Sequence, residues 1–247
     1  MIGAIKVGGV YRAKMPQLIG EENSPNDRLV LRIDEHSNIY YKNIINGREA
    51  SVSKEGFLKW AGNYLGMQWE METLTELSRR IHTNNVKVGW WNEYLPNKMK
   101  RHETAMILVV TEIAEATEGM RKNLMDDHLP QYPMVHVELA DAAIRLLDLA
   151  GAYKMGELDR LFQPLSYEVE EVENRTGPEC LWYMVWRMAR ATGRLEQVRT
   201  GLRMVFLLVD RFEVPEFRKI ISEKLEYNYK RHDHKREQRN QQGGKKF

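Results

Sequence analysis

The sequence predicts a mainly α chain, a helical bundle preceded by a small N-terminal β-barrel-like module. Three observations lead there. Up to about Gly66, apolar and polar residues alternate between turn-rich segments; from Met67 onward the apolar residues recur at helical period; and Pro133, Pro178 and Pro215 stand where first-turn prolines belong. At 247 residues the chain can bury a real core, as one large domain or two smaller ones.

The β module comes first, over residues 1–66. "KVGGVYRAK" reads as one strand. "RLVLRID" alternates Leu29, Leu31 and Ile33 with Arg32 and its neighbours, and "NIYYKNI" is rich in β-branched and aromatic residues. "DEHSN" and "NGRE" are turn-like, and a short helix around "KEGFLKWAG" closes a module of three or four strands. Tyr11, Tyr40 and Tyr41 are expected to serve its core. Nothing in it carries a catalytic signature, so it reads as an accessory domain.

Helices follow near Gln68 to Thr83, Lys98 to Asn123, Pro133 to Tyr153, Gly156 to Asn174, Pro178 to Thr192, Leu195 to Phe212 and Pro215 to His232, with Gly156, Gly177 and Gly193 punctuating the connections. "IRLLDLAGAYKMGELDRLF" and "VFLLVDRFEVPEFRKII" share a pattern of apolar helix, break and amphipathic start. The later copy lacks the acids of the earlier one, so the echo is one of scaffold. Residues 233–247 form a basic tail.

Composition narrows the class. A single cysteine, Cys180, rules out an internal disulfide and a four-cysteine zinc site. "MIGAIKVGGVYRAK" has too short an apolar run for a signal peptide, and no segment approaches the roughly 20 apolar residues that span a bilayer. A soluble, cytoplasmic protein without a membrane partner is the expectation. The net charge is +2, yet Tyr227 to Phe247 alone carries seven Lys/Arg against two Asp/Glu. A basic arm on a mildly acidic body suits a phosphate-bearing partner.

The residues that bear chemistry are acids. "TAMILVVTEIAEATEG" is apolar all round from Met106 to Val110, which argues for burial on several sides, and Glu112 and Glu115 follow at once. On the next helix, "ELADAAIRLLDLAG" places Glu138, Asp141, Arg145 and Asp148 in one narrow stripe at about 100° per residue. Residues three apart lie about 5–6 Å from one another at Cβ, so Glu112 with Glu115 and Glu138 with Asp141 form two clamps. The linker containing "DDHLPQYP" is short enough for antiparallel packing to bring the clamps together. Four carboxylates at close quarters call for protons or a cation. Oxygen-only ligation points to a hard ion, Mg²⁺ or Mn²⁺, and away from zinc, although His136 lies nearby.

This E-x-x-E and E-x-x-D arrangement resembles the MazG-like all-α nucleoside triphosphate pyrophosphohydrolases. "IHTNNVKVGWW", "ELADAAIRLLDLA" and "KLEYNYKRHDHKREQRNQQGGKKF" are similar to a subgroup common in bacteria and their phages, over roughly Gln68 to Phe162 and Ser222 to Phe247. The resemblance implies an all-α bundle, usually a homo-oligomer (dimer or tetramer), that binds Mg²⁺ through Glu112, Glu115, Glu138 and Asp141 and hydrolyses a nucleoside triphosphate to monophosphate and pyrophosphate in a bacterial or phage-infected cell. It further implies that Lys224, Asn228 and Arg231, the K-x-x-x-N-x-x-R run, help hold the substrate phosphates. Two features depart from a minimal member: the β module, and extra helices at about 164–214 that would complete within one chain what a partner subunit otherwise supplies.

Other candidates attach to that reading. Lys224, Asn228 and Arg231 share one face of the last helix, and Lys245 and Lys246 follow two glycines that let backbone approach an anion. Trp90 and Trp91 are candidates to stack on a base, with His82 and Asn85 beside them. Arg145 is an organising countercharge, and Asp148 an acid behind the cage or an ordinary surface residue. No G-x-x-x-x-G-K-[ST] loop, G-x-S-x-G elbow, H-E-x-x-H or paired C-x-x-C is present. The alternatives are the same hydrolase acting on dUTP or an alarmone, and a nucleic-acid-binding module whose acids are structural; the hydrolase reading expects no nucleic-acid partner.

Overall fold

The computed structural model describes residues 5–6, 9–15, 17–19, 24–67, 72–91, 99–160 and 165–231. The chain divides into two compact units, Met1–Glu72 and Thr73–Phe247.

The first unit corrects the expectation of a mainly α, all-α-type chain. Its strands are β1 (Gly9–Ala13), β2 (Leu18–Ile19), β3 (Ser24–Pro25), β4 (Arg28–Ile33), β5 (Asn38–Asn43), β6 (Glu49–Ser53) and β7 (Ala61–Met67), with helix α1 (Lys54–Trp60) between the last two. Five of them make an antiparallel half-barrel in the order β6-β5-β4-β1-β7, and β2 pairs β3 in a small ribbon. The chain is therefore mixed, with a helical majority and a substantial N-terminal sheet. Strand β7 escaped the sequence reading because "AGNYLGM" carries two glycines and no clean alternation, and only its pairing with β1 defines it.

The core face of β4 also differs from the alternation expected. Val30 is buried, whereas Leu31 and Ile33 are exposed. A register shift between Val30 and Arg32 against β5 accounts for part of this, since a bulge re-aims the side chains beyond it. Tyr11, Val30, Ile39, Phe57 and Ala61 form the core, with Tyr11 edge-on to Phe57 at 5.3 Å and Tyr41 packed against the cluster. Tyr40 instead carries the Arg32 guanidinium over its ring at 3.4 Å.

The second unit is helical: α2 (Leu74–Lys87), α3 (Met99–Lys122), α4 (Met134–Ala152), a 3₁₀ turn (Leu158–Arg160), α5 (Ser166–Glu173), α6 (Gly177–Arg190), α7 (Arg194–Arg211) and α8 (Phe217–Lys230). The helix expected over Gly156 to Asn174 is thus two pieces. Pro178 sits in the first turn of α6, but Pro133 is the N-cap of α4, and Pro215 precedes Glu216, the left-handed N-cap of α8. A reciprocal Thr73–Glu76 capping box starts α2, and Asp159 accepts a hydrogen bond from Leu74 N at 2.9 Å.

Helix α4 is the hub, packed by α2, α3, α7 and α8. Its Leu139, Leu146, Leu147 and Leu149 are fully buried. Gly151 makes the contact with α2 possible: a Cβ there would lie 2.5 Å from Ser78 O and 2.6 Å from His82 Cβ. Helices α3 and α4 run antiparallel, since Gly119 faces Met134, Glu112 faces Arg145, and His102 meets Tyr153 at 2.9 Å. Of Met106 to Val110, expected to be buried on several sides, Val109 is buried, Met106, Leu108 and Val110 are half-buried, and Ile107 is 57% exposed. No helix among the described residues is long and apolar enough to cross a membrane.

Candidate metal and phosphate cleft

The antiparallel packing of α3 and α4 sets their acids face to face. Glu112, Glu115 and Glu138 each offer a carboxylate oxygen, and the three oxygens lie within 4.8 Å of one another. Glu112 and Glu138 are buried, and Glu115 faces the open side. They line a cleft of about 390 Å³ together with Asp141, Arg145 and Asp148 of α4 and Lys224, Asn228 and Arg231 of the α8 region.

The fourth acid stands differently from the expected cage. Asp141 Oδ2 pairs with Lys224 Nζ at 2.9 Å, and Asp141 is not in the three-oxygen group. Lys224, expected to meet substrate phosphates, lines the cleft with only 4% of its side chain exposed and is held in this ion pair. Glu112 in turn accepts from Arg145 Nε at 2.5 Å and also meets its Nη2, an ion pair between α3 and α4.

Crowding sets the proton affinities. Burial, then the charges of Asp141, Glu112 and Glu115, push the Glu138 carboxyl up to about 9, and a hydrogen bond with Glu112 adds to the effect. Without a cation, the crowding thus favours the protonated form of Glu138. Asp141 is raised by burial to about 6, against the opposing pull of Lys224, which favours its ionised form. For Lys224, burial alone would lower the ammonium, but Asp141, Asp126 and Glu138 together raise it. His128, in the α3–α4 linker and on the cleft wall, is held below its ordinary value by burial and by Lys224.

The tryptophans separate. Trp90 lines the cleft, half-buried. Trp91 does not: it is fully buried, and its Nε1 donates to both Asp148 oxygens at 3.0 and 3.1 Å, so it has no face open to a base. Asp148 also meets His82 Nδ1 at 2.9 Å, with the His82 ring edge-on to Trp91 at 4.8 Å. Asp148 is thus a buried anchor between α2 and α4 and no surface residue. Asn85 lines the cleft, His136 does not, and Lys245 and Lys246 lie outside the described residues.

Sequence reasoning passed over Arg101, which lines the same cleft from the start of α3. The signal was present: eleven residues is just over three whole helical turns, so Arg101 lies on the stripe of Glu112 and Glu115. Tyr229 was missed as well, and it accepts a hydrogen bond from Asn84 Nδ2 at 3.0 Å across α8 and α2.

The donor set suits a hard divalent ion. It is all oxygen, and Glu138 Oε2 is buried with no hydrogen-bond partner among the described residues, an orphan acceptor of the kind a cation would satisfy. Comparisons with family models, with curated proteins and with solved structures return no match to this chain.

Proposed function

We propose that the chain is a Mg²⁺-dependent nucleoside triphosphate pyrophosphohydrolase of the MazG-like kind, releasing a monophosphate and pyrophosphate, with Mn²⁺ as a substitute ion. The observation that carries the reading is the meeting of Glu112, Glu115 and Glu138 within 4.8 Å on the wall of a cleft whose other wall presents Asn228 and Arg231. Acids on one side and a guanidinium with an amide on the other match a metal and an anionic substrate held between them.

Glu112, Glu115 and Glu138 would hold the ion, which when bound supplies charge neutralisation at the phosphates and a more acidic water. The other roles belong to the chain itself. Arg145 fixes Glu112 in place, and Lys224 keeps Asp141 ionised beside the three acids. Asn228 of α8 and Arg231, just past its end, orient phosphate oxygens, with a charge-assisted hydrogen bond from the guanidinium. Trp90 offers a ring at the cleft edge for a base. Trp91, through Asp148, holds the α2 wall in position.

Product analysis tests the proposal: purified protein with Mg²⁺ and a panel of ribo- and deoxyribonucleoside triphosphates, beside Glu138→Ala and Glu115→Ala. Monophosphate and pyrophosphate in equal amounts, lost in both variants, is the expected result. No turnover with Mg²⁺ or Mn²⁺ across triphosphates, dUTP and guanosine tetraphosphate would overturn it.

A further inference from the structure

A second cavity, of about 340 Å³, opens between α5, α6 and α7. Two of the arginines that line it, Arg187 and Arg203, are held by Glu168, which is completely buried and accepts from Arg187 Nη2 at 2.6 Å and from Arg203 Nε at 3.0 Å. One carboxylate thus fixes two guanidinium groups. The Nη1 atoms of both arginines make no hydrogen bond among the described residues. Arg190 adds a third lining cation, and the acid that lines the cavity among the described residues is Glu196, 4.0 Å from Arg203. Positive charge is in excess, and it is held in place before any ligand arrives.

The same cavity carries flat apolar surface. Trp186 is 40% exposed and Tyr167 46%, both on its wall. The Arg190 guanidinium lies 4.9 Å from the Trp186 ring centre, Arg187 lies 5.0 Å from that of Tyr167, and Trp186 stacks on Tyr183 at 5.7 Å. Partly exposed aromatic side chains beside fixed guanidinium donors suit a ligand that combines a planar ring with a phosphate. The volume is at the low end for small-molecule sites.

We propose that this cavity is a second binding site, for a mononucleotide, separate from the acidic cleft and needing no divalent cation. The phosphate meets Arg187, Arg190 and Arg203, and the base lies against Trp186. The assignment does not rest on the hydrolase reading, because none of these residues lines the acidic cleft.

Calorimetric titration of the full chain in EDTA tests it, using adenosine 5′-monophosphate, ribose 5-phosphate and adenosine. Trp186→Ala and Arg190→Glu alter exposed side chains, and melting curves verify that both variants fold. Arg231→Glu is the control for the acidic cleft. The expected result is saturable binding of adenosine 5′-monophosphate, weakened about tenfold or more by Trp186→Ala and by Arg190→Glu, and unchanged by Arg231→Glu. Ribose 5-phosphate and adenosine should each bind more weakly than the nucleotide. Absent binding, loss in Arg231→Glu instead of Arg190→Glu, or equal affinity for ribose 5-phosphate would overturn the proposal. So would tighter binding, at these same residues, of a single-stranded oligonucleotide than of the mononucleotide.

Discussion

Lys224 Nζ lies 2.9 Å from Asp141 Oδ2, with only 4% of the lysine side chain exposed and 16% of the aspartate. The pair ties the last described helix to the hub helix at the edge of the acidic cluster. Removing one partner of such a pair leaves a charge without compensation inside the bundle. Lys224→Met is expected to cost about 3 kcal/mol, and combining it with Asp141→Leu to recover most of that loss. Urea unfolding of both variants checks the coupling; losses that simply add would show that the two side chains do not act as a unit.

Stability should also depend on pH through the same cluster. Burial raises Glu138 to about 9 and Asp141 to about 6, above the ordinary values of 4.5 and 3.8. The folded chain then keeps protons that the unfolded chain has released, so unfolding sheds protons and stability falls as pH rises. This contribution is whole below about pH 4, and Glu138 goes on losing its share up to about pH 9. In metal-free buffer, Glu138→Gln should gain in melting temperature relative to wild type as pH goes from 5 to 9. A difference that stays flat across that window would contradict the assignment.

Gly151 sets the spacing of α2 and α4. Because a Cβ would meet Ser78 carbonyl oxygen at 2.5 Å, the helices must part for Gly151→Ala, at an expected cost of about 2 kcal/mol. Asp148, between His82 and Trp91, should feel the shift. Thermal melting reads the loss, and a changed near-ultraviolet dichroism from Trp91 reads the displacement.

Glu168 neutralises Arg187 and Arg203 at once. Glu168→Ala leaves two guanidinium groups facing each other and is expected to cost about 3–5 kcal/mol. Glu168→Gln, which keeps acceptors for both, should cost less. Denaturant midpoints of the two variants compare them directly.

The acidic cleft was legible where one helix suffices to define a stripe. Glu112 with Glu115, and Glu138 with Asp141, Arg145 and Asp148, follow from helical period alone, and all line the cleft. What period cannot supply is the partner across a tertiary contact. Nothing in "KLEYNYKRH" says that Lys224 turns to Asp141 in place of solvent or phosphate, or that Trp91 goes inward to Asp148 while Trp90 stays at the cleft. In the first unit the same gap appears between strands: the shift at Val30 and the pairing of β7 with β1 are properties of registers, which no single strand encodes.

Because the hub helix carries Glu138, Asp141, Arg145 and Asp148 while being enclosed by four other helices, its amides can exchange with deuterium only when much of the bundle opens. An ion or nucleotide that binds these side chains then slows exchange along the whole of α4, well beyond the residues it touches. Occupancy of the cleft would be readable as a single slow envelope of protected peptides spanning Met134 to Ala152.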